Sequence, residues 1–357
     1  MSNVETRIQE AFHILSQEAK ELYLQSEVAQ INHAITPLTF FREYVSKNIP
    51  LIIKGAVKHW PAVSKWSIPF FRKVLGDETV AVAVTPNGYA DAVARKDDGN
   101  EFFVMPEERL LTMSEFLDTL ENTREDSIFY IQKQNSNFIN SFCKLWSDVE
   151  VEMSWANEAF GKHPDAVNFW MGDERAVTSM HKDPYENVYC VVSGEKNFIL
   201  HPPTDLPWIP YENYPSAVYK EHESGKWTIE PTINETYTSE HIASSTPWIC
   251  IDPLNPDYKK FRIYVTYSLL SFFFISYLFK RLINERFLLI DIQNIVMHTL
   301  CESHSKLVTR CICHPYGSTM LRSLTLVYPS IIGTIWNSTS SMRTSERSRR
   351  CANEQVS

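Results

Sequence analysis

The sequence predicts a mainly β fold with flanking helices, in a chain of 357 residues that is long enough to bury a substantial core. Three observations carry that prediction. Short apolar runs rich in Val, Ile and aromatic residues recur at 49–55, 80–85, 128–134, 188–192 and 198–200. Turn residues punctuate them, at Pro86-Asn87-Gly88, Ser193-Gly194-Glu195 and Pro202-Pro203. Helical periodicity is confined to a few segments, the longest being residues 3–31, where Val4, Ile8, Phe12, Leu15, Ala19, Leu22 and Tyr23 recur at intervals of three and four.

In chain order, the N-terminal helix is expected to serve packing or self-association, and with it a homodimer. Its polar face is rich in Glu and Gln rather than Lys and Arg, which argues against a membrane-surface role. Thr36-Pro37 ends it, and Thr39 is expected to cap a short helix over 40–45. A strand over 49–55 leads to Trp60-Pro61-Ala62 and Trp66, which read as core aromatics. After the strand over 80–85 and its turn, residues 110–120 have helix spacing with Ser114 as a candidate cap. A further strand covers 128–134, and helix and loop fill 135–165. The runs at 188–192 and 198–200 flank Ser193-Gly194-Glu195 and read as a hairpin. A long connection from Pro203 to Pro256 follows, with Trp208, Tyr211, Tyr214, Tyr219, Trp227 and Trp248, and is expected to be packed by its own aromatics.

The net charge of −9 argues against direct nucleic-acid binding. The charge is uneven: residues 262–357 carry 11 Lys+Arg against 5 Asp+Glu, and the residues before them 23 against 38. That shift marks a compositional boundary. Seven Cys without framework spacing, and an N-terminus without an apolar leader behind a basic start, point to a reduced cytoplasmic chain, with the nucleus as a further compartment.

The chemistry-bearing stretch is 166–203. His181-Lys182-Asp183 places an imidazole and a carboxylate two residues apart, which on a strand puts both on one face. Such a pair supplies two of the three ligands of a non-haem iron triad. By itself an H-x-D tripeptide is weak, because 11 His make a chance match easy. Its surroundings strengthen it. Lys196, just past the turn and among apolar residues, calls for an anionic partner, and Thr178 offers a hydroxyl nearby.

The run Thr178, His181, Asp183, Asn187, Tyr189, Gly194, Lys196 and His201-Pro202-Pro203 resembles the jumonji-C family, Fe(II)- and 2-oxoglutarate-dependent oxygenases on a cupin-like double-stranded β-helix. The segments Asp165–Trp170, Tyr185-Glu186-Asn187 and Tyr189–Lys196 are similar, within the family, to the lysyl hydroxylases of developmentally regulated GTP-binding proteins, a branch also described as endopeptidases. The resemblance implies that His181 and Asp183 bind Fe(II), and that Lys196, helped by Thr178 and Tyr130, holds the distal carboxylate of 2-oxoglutarate. Asn187 and Tyr189 would line the same pocket. O2 would be the second cosubstrate, and a lysine of a GTP-binding translation factor, hydroxylated at C3, the protein substrate. The sequence has neither G-x-S-x-G nor H-E-x-x-H, so nothing beyond the resemblance points to peptidase chemistry.

The resemblance covers about 36–258, and divides the chain into an N-terminal helical segment (1–35), an incomplete jumonji-C domain (36–260) and a divergent tail (261–357). The closing strands and the third metal ligand are expected to be missing, their place taken by the tail. His298, His304 and His314 lack the family's surroundings, and Cys301, His304, Cys311, Cys313 and His314 have irregular spacing for zinc, so none is assigned. The charge-free run at 263–279 reads as a short transmembrane anchor, a packing segment or translated intron. Its wealth of Phe, Ser, Leu and Tyr, the residues that pyrimidine-rich stretches encode, favours the last. Two functions therefore compete: an oxygenase impaired by the loss of one ligand, and a non-catalytic or membrane-tethered binding module.

Overall fold

The computed structural model describes residues 3–22, 28–122, 125–134, 136–232, 245–253, 257 and 260, and four strands beyond them at 276–278, 287–292, 296–297 and 321–329. Helix α1 (Asn3–Leu22) ends well short of its predicted limit at 31. Residues Ala29–Ile31 instead form strand β1, which pairs in parallel with β2 (Leu51–Lys54). Most of the apolar stripe that predicted the helix does not dock it: Val4, Ile8, Leu15 and Leu22 are 66%, 49%, 51% and 74% exposed. Ala19 of that stripe and the neighbouring Ser16 are buried instead of the larger residues. Ser16 Oγ donates to the Thr204 carbonyl at 2.8 Å and accepts from Trp208 Nε1 at 3.4 Å, and Phe12 meets the Trp208 ring edge-on. Lys20 Nζ and His201 Nδ1 share the carboxylate of Asp205 at 3.8 and 3.0 Å.

Several helix starts are fixed by a side-chain oxygen that receives one of the first free N–H groups. Helix α2 (Pro37–Glu43) starts earlier than predicted, capped by Thr36, with Pro37 at the first position where its missing N–H costs nothing. Helices α3 (Ala62–Lys65) and α4 (Ile68–Leu75) follow. Strands β3 (Thr79–Thr85), β4 (Tyr89–Ala90), β5 (Ala92–Arg95), β6 (Glu101–Met105) and β7 (Glu107–Thr112) lead to helix α5 (Met113–Glu121). Its cap is Thr112 rather than Ser114. Glu115 at the third helical position accepts in return from the Thr112 N–H, a capping box that Ser114 cannot form with the same residue.

Strand β8 (Ile128–Ile131), helices α6 (Asn137–Ser141) and α7 (Ser154–Phe160), and strands β9 (Ala166–Gly172) and β10 (Val177–Thr178) precede the long strand β11 (Tyr185–Ser193). Strand β12 (Asn197–His201) follows, and then β13 (Tyr211–Glu221), β14 (Trp227–Pro231) and β15 (Ser245–Ile249). The predicted hairpin of β11 and β12 does not form. The two strands lie in different sheets, and the chain passes between them at Gly194, whose φ of +87° only glycine adopts readily. Two apolar runs around a turn look the same from the sequence whether the strands pair or face each other.

The tail enters the sheets. Strands β16 (Ser276–Leu278) and β18 (Val296–Met297) flank β12, while β17 (Phe287–Ile292) pairs with β2 and β11, and β19 (Leu321–Pro329) with β11 and β9. The main sheet runs β1-β2-β17-β11-β19-β9-β8-β3-β7. A second layer holds β16-β12-β18 and β14-β13-β6-β5, with β15 on β13. The edges of β2, β9 and β11 that the sequence leaves open are thus paired. The anchor at 263–279 lies outside the described residues except for β16, and among the described residues no helix is long and apolar enough to cross a membrane. His298, His304 and His314 also lie outside them.

One face of the main sheet carries the core. Val82 and Val84, Phe129 and Ile131, Val167, Phe169 and Met171, and Val188, Cys190 and Val192 pack against Phe71, Phe116, Leu117, Phe138 and Phe160 of the helices. Because strand side chains alternate, the residues between them face the other way, and these include Tyr130, Gly172, Asn187 and Tyr189. Glu186 is the exception on the core side. It is 5% exposed, and its Oε2 has no hydrogen-bond partner among the described residues. Burial alone pushes its carboxyl up to about 7. An acid whose folded pKa is raised binds its proton more tightly in the fold, so stability is full below the unfolded value and falls as pH rises towards 7. Glu186→Gln is expected to flatten that fall, raising stability at pH 8 by on the order of 3 kcal/mol relative to the native chain. Urea unfolding at pH 5 and pH 8 checks it, and an equal pH dependence in both chains would contradict it.

Candidate active site

His181 and Asp183 lie between β10 and β11 rather than within a strand, so alternation is not what brings them together. Local hydrogen bonds do. His181 Nδ1 stands 2.8 Å from the Ser179 carbonyl, which can only accept, so Nδ1 carries the proton and Nε2 presents its lone pair. Asn187 Nδ2, from β11, donates to Asp183 Oδ2 at 3.1 Å. Nε2 of His181 and Oδ1 of Asp183 then stand 3.6 Å apart. Burial of Asp183 opposes its ionisation, but when no metal lies between them a protonated His181 donates to it and attracts it, and together with Asn187 outweighs burial and holds the carboxyl below the usual range.

This donor pair fits a metal ion. Bonds of about 2.1 Å at right angles place two ligand atoms about 3 Å apart, so the 3.6 Å found needs only a closure of about half an ångström to take up a metal. The carbonyl behind His181 and the amide behind Asp183 are the kind of outer contacts that fix ligand orientation. Among the described residues no group of three His, Cys, Asp or Glu side chains stands ready for a metal, so the pair has no third described ligand.

Thr178 and Lys196 come together on the wall of a cavity of about 800 Å³, which runs past Ser179 and Met180 but is not lined by His181 or Asp183. That volume is ample for a small dicarboxylate with room for a substrate side chain. Lys196, between β11 and β12, has its Nζ 5.7 Å from the Tyr130 ring centroid. Tyr130 is buried, and its hydroxyl bonds Tyr189. Burial first, then Tyr189, pushes its phenol well above the usual value, so it stays neutral and able to donate. Tyr189 in turn packs edge-on against Phe198 of β12 at 4.8 Å. The structure therefore forms two clusters, His181–Asp183–Asn187 and Thr178–Lys196–Tyr130–Tyr189, on neighbouring elements.

Carboxylates outnumber cations along the cavity: Asp97, Asp98, Asp173, Glu174, Glu195 and Asp252 against Arg95, Lys96, Lys196 and Lys226. Sequence reasoning missed three features here. Gly172 lies opposite Tyr130 in the β8–β9 pair, and a Cβ on it would stand 2.2 Å from Tyr130 Cδ2. A lone glycine inside an apolar strand is a signal for such close approach, and it was available. Ser179 and Trp248 contact His181 and carry no sequence signal of their own.

A family model described as a cupin-like domain matches residues 37–272. The chain belongs to that family. Within the cupin-like family it is a jumonji-C protein. It is 47% identical over 247 residues to the bifunctional peptidase and (3S)-lysyl hydroxylase JMJD7 of Homo sapiens, spanning 69% of this chain and 74% of the relative. It is 36% identical to the lysine-specific demethylase JMJ32 of Arabidopsis thaliana, over 67% of each chain. It is 35% identical to JmjC domain-containing protein E of Dictyostelium discoideum, over 67% of this chain and 70% of that one.

Proposed function

We propose that this cupin-like protein is an Fe(II)- and 2-oxoglutarate-dependent oxygenase that hydroxylates a lysyl side chain of a protein. The observation that carries it is the pairing of His181 Nε2 with Asp183 Oδ1 beside a cavity that presents Lys196 and Thr178. When bound, the iron would supply the oxidising chemistry that no side chain has. The residues of the chain do the rest. His181 and Asp183 hold the metal, and Asn187 keeps the carboxylate turned towards it. The Lys196 ammonium pairs with the distal carboxylate of 2-oxoglutarate, and Thr178 adds a hydroxyl. Neutral Tyr130 lies under the Lys196 ammonium at 5.7 Å, and its hydroxyl, which bonds Tyr189, would turn to the same carboxylate. The acidic wall of the cavity suits a substrate ammonium, and the similarity to a lysyl hydroxylase supports the same choice.

The reading includes slower turnover than in JMJD7. A third ligand is not found among the described residues, and two protein ligands hold iron more weakly than three. GTP-binding translation factors are the first substrates to try. Incubation with Fe(II), 2-oxoglutarate and such a factor is expected to add one oxygen to a single lysine, read by peptide mass spectrometry with 18O2. Cosubstrate consumption with the oxygen on a non-lysyl residue would overturn the substrate assignment and leave the oxygenase reading intact.

A further inference from the structure

We propose that Trp248 is a positioning residue for His181, fixing the imidazole from strand β15 through a ring stack and a hydrogen-bonded serine. The inference rests on the reading of His181 as a metal ligand. The two residues are far apart in sequence, and the fold brings them together because β15 pairs with β13 in the second layer, with Trp248 opposite Glu212. The indole lies nearly parallel to the imidazole, at 12° with centroids 6.2 Å apart. Phe103 of β6 packs against the same indole at 4.7 Å and holds it in place.

The second contact runs through Ser179. Trp248 Nε1 donates to Ser179 Oγ at 3.1 Å, and that hydroxyl donates to the Asp91 carbonyl at 2.5 Å. The Ser179 carbonyl accepts from His181 Nδ1. One serine thus receives the tryptophan, orients the histidine and ties down Asp91, whose φ of +52° is uncommon for a residue with a side chain. The stack fixes the plane of the imidazole, and the carbonyl fixes its rotation and tautomer. A ligand ring held in this way has less freedom to lose when a metal binds, and outer contacts of this kind are typically worth 10- to 100-fold in metal affinity.

The test is anaerobic titration of the full chain with Co(II), whose visible ligand-field bands report coordination directly, with thermal unfolding as the folding control. His181→Ala is expected to lose the bands. Trp248→Leu is expected to weaken Co(II) binding roughly 10- to 100-fold, with Trp248→Phe, which keeps a ring, falling between it and the native chain. Native affinity and spectrum in Trp248→Leu, with His181→Ala inactive in binding, would overturn the proposal. A native chain that binds no Co(II), or a His181→Ala chain that binds it equally well, would overturn the metal-ligand reading itself. If Trp248→Leu does not fold, Trp248→Phe and Ser179→Ala decide. Each removes the same N–H to hydroxyl link, so each should weaken binding and the double variant should bind no more weakly than the weaker single. Native affinity in both singles would overturn the proposal.

Discussion

Lys196→Met is expected to raise the 2-oxoglutarate concentration needed for half-maximal turnover roughly 10- to 100-fold. Lys196 is the cavity-wall cation nearest the metal pair in sequence, Thr178 adds a hydroxyl on the same wall, and the Lys196 ammonium stands over the ring of the neutral Tyr130. A hydrogen bond to a charged group is worth about 1.5–3 kcal/mol, which sets that range. Methionine keeps most of the stem and removes the ammonium, and with it the weak contact over the Tyr130 ring at 5.7 Å, so the loss should fall mainly on cosubstrate rather than on stability. Steady-state kinetics at saturating Fe(II) measures it. An unchanged 2-oxoglutarate requirement would place the dicarboxylate elsewhere in the cavity.

Gly172→Ala is the second large effect, and it acts through packing. The added Cβ would meet Tyr130 Cδ2 at 2.2 Å and the Phe129 carbonyl at 3.0 Å. The register Tyr130↔Gly172 is held by the β8–β9 ladder, so backbone and ring must both move. Overpacking of this kind costs about 1–3 kcal/mol, or roughly 2–12 °C in Tm for a domain of this size. Tyr130 is also pushed off Tyr189, so the cosubstrate requirement should rise with the instability. A Tm within error of the native chain would show that the strand pair relaxes freely.

Much of the fold was legible because β-branched runs and turn residues report local conformation. Leu51–Lys54, Thr79–Thr85 and Ile128–Ile131 are strands within a few residues of where the pattern places them. What the pattern does not carry is partnership. The runs around Gly194 form two strands in two sheets, and only tertiary contacts choose between that and a hairpin. The same holds for α1, whose larger apolar residues predict a helix correctly but not its docking face, which centres on Ser16, Ala19 and Lys20. In the site, His181, Asp183, Lys196 and Thr178 stood out by residue type and spacing. The tryptophan and serine beside His181 did not, because their approach depends on segments that meet only in the folded chain, whereas Gly172 carried a signal of its own as a glycine inside an apolar strand.

The most direct measurement is Fe(II)-dependent succinate formation from 2-oxoglutarate by this chain and by its His181→Ala variant. Metal-dependent turnover that disappears in the variant is the expected result, with a rate below that of JMJD7. Turnover undiminished by the substitution, or none in either chain, would contradict the assignment of His181 and Asp183 as the working metal pair of an oxygenase.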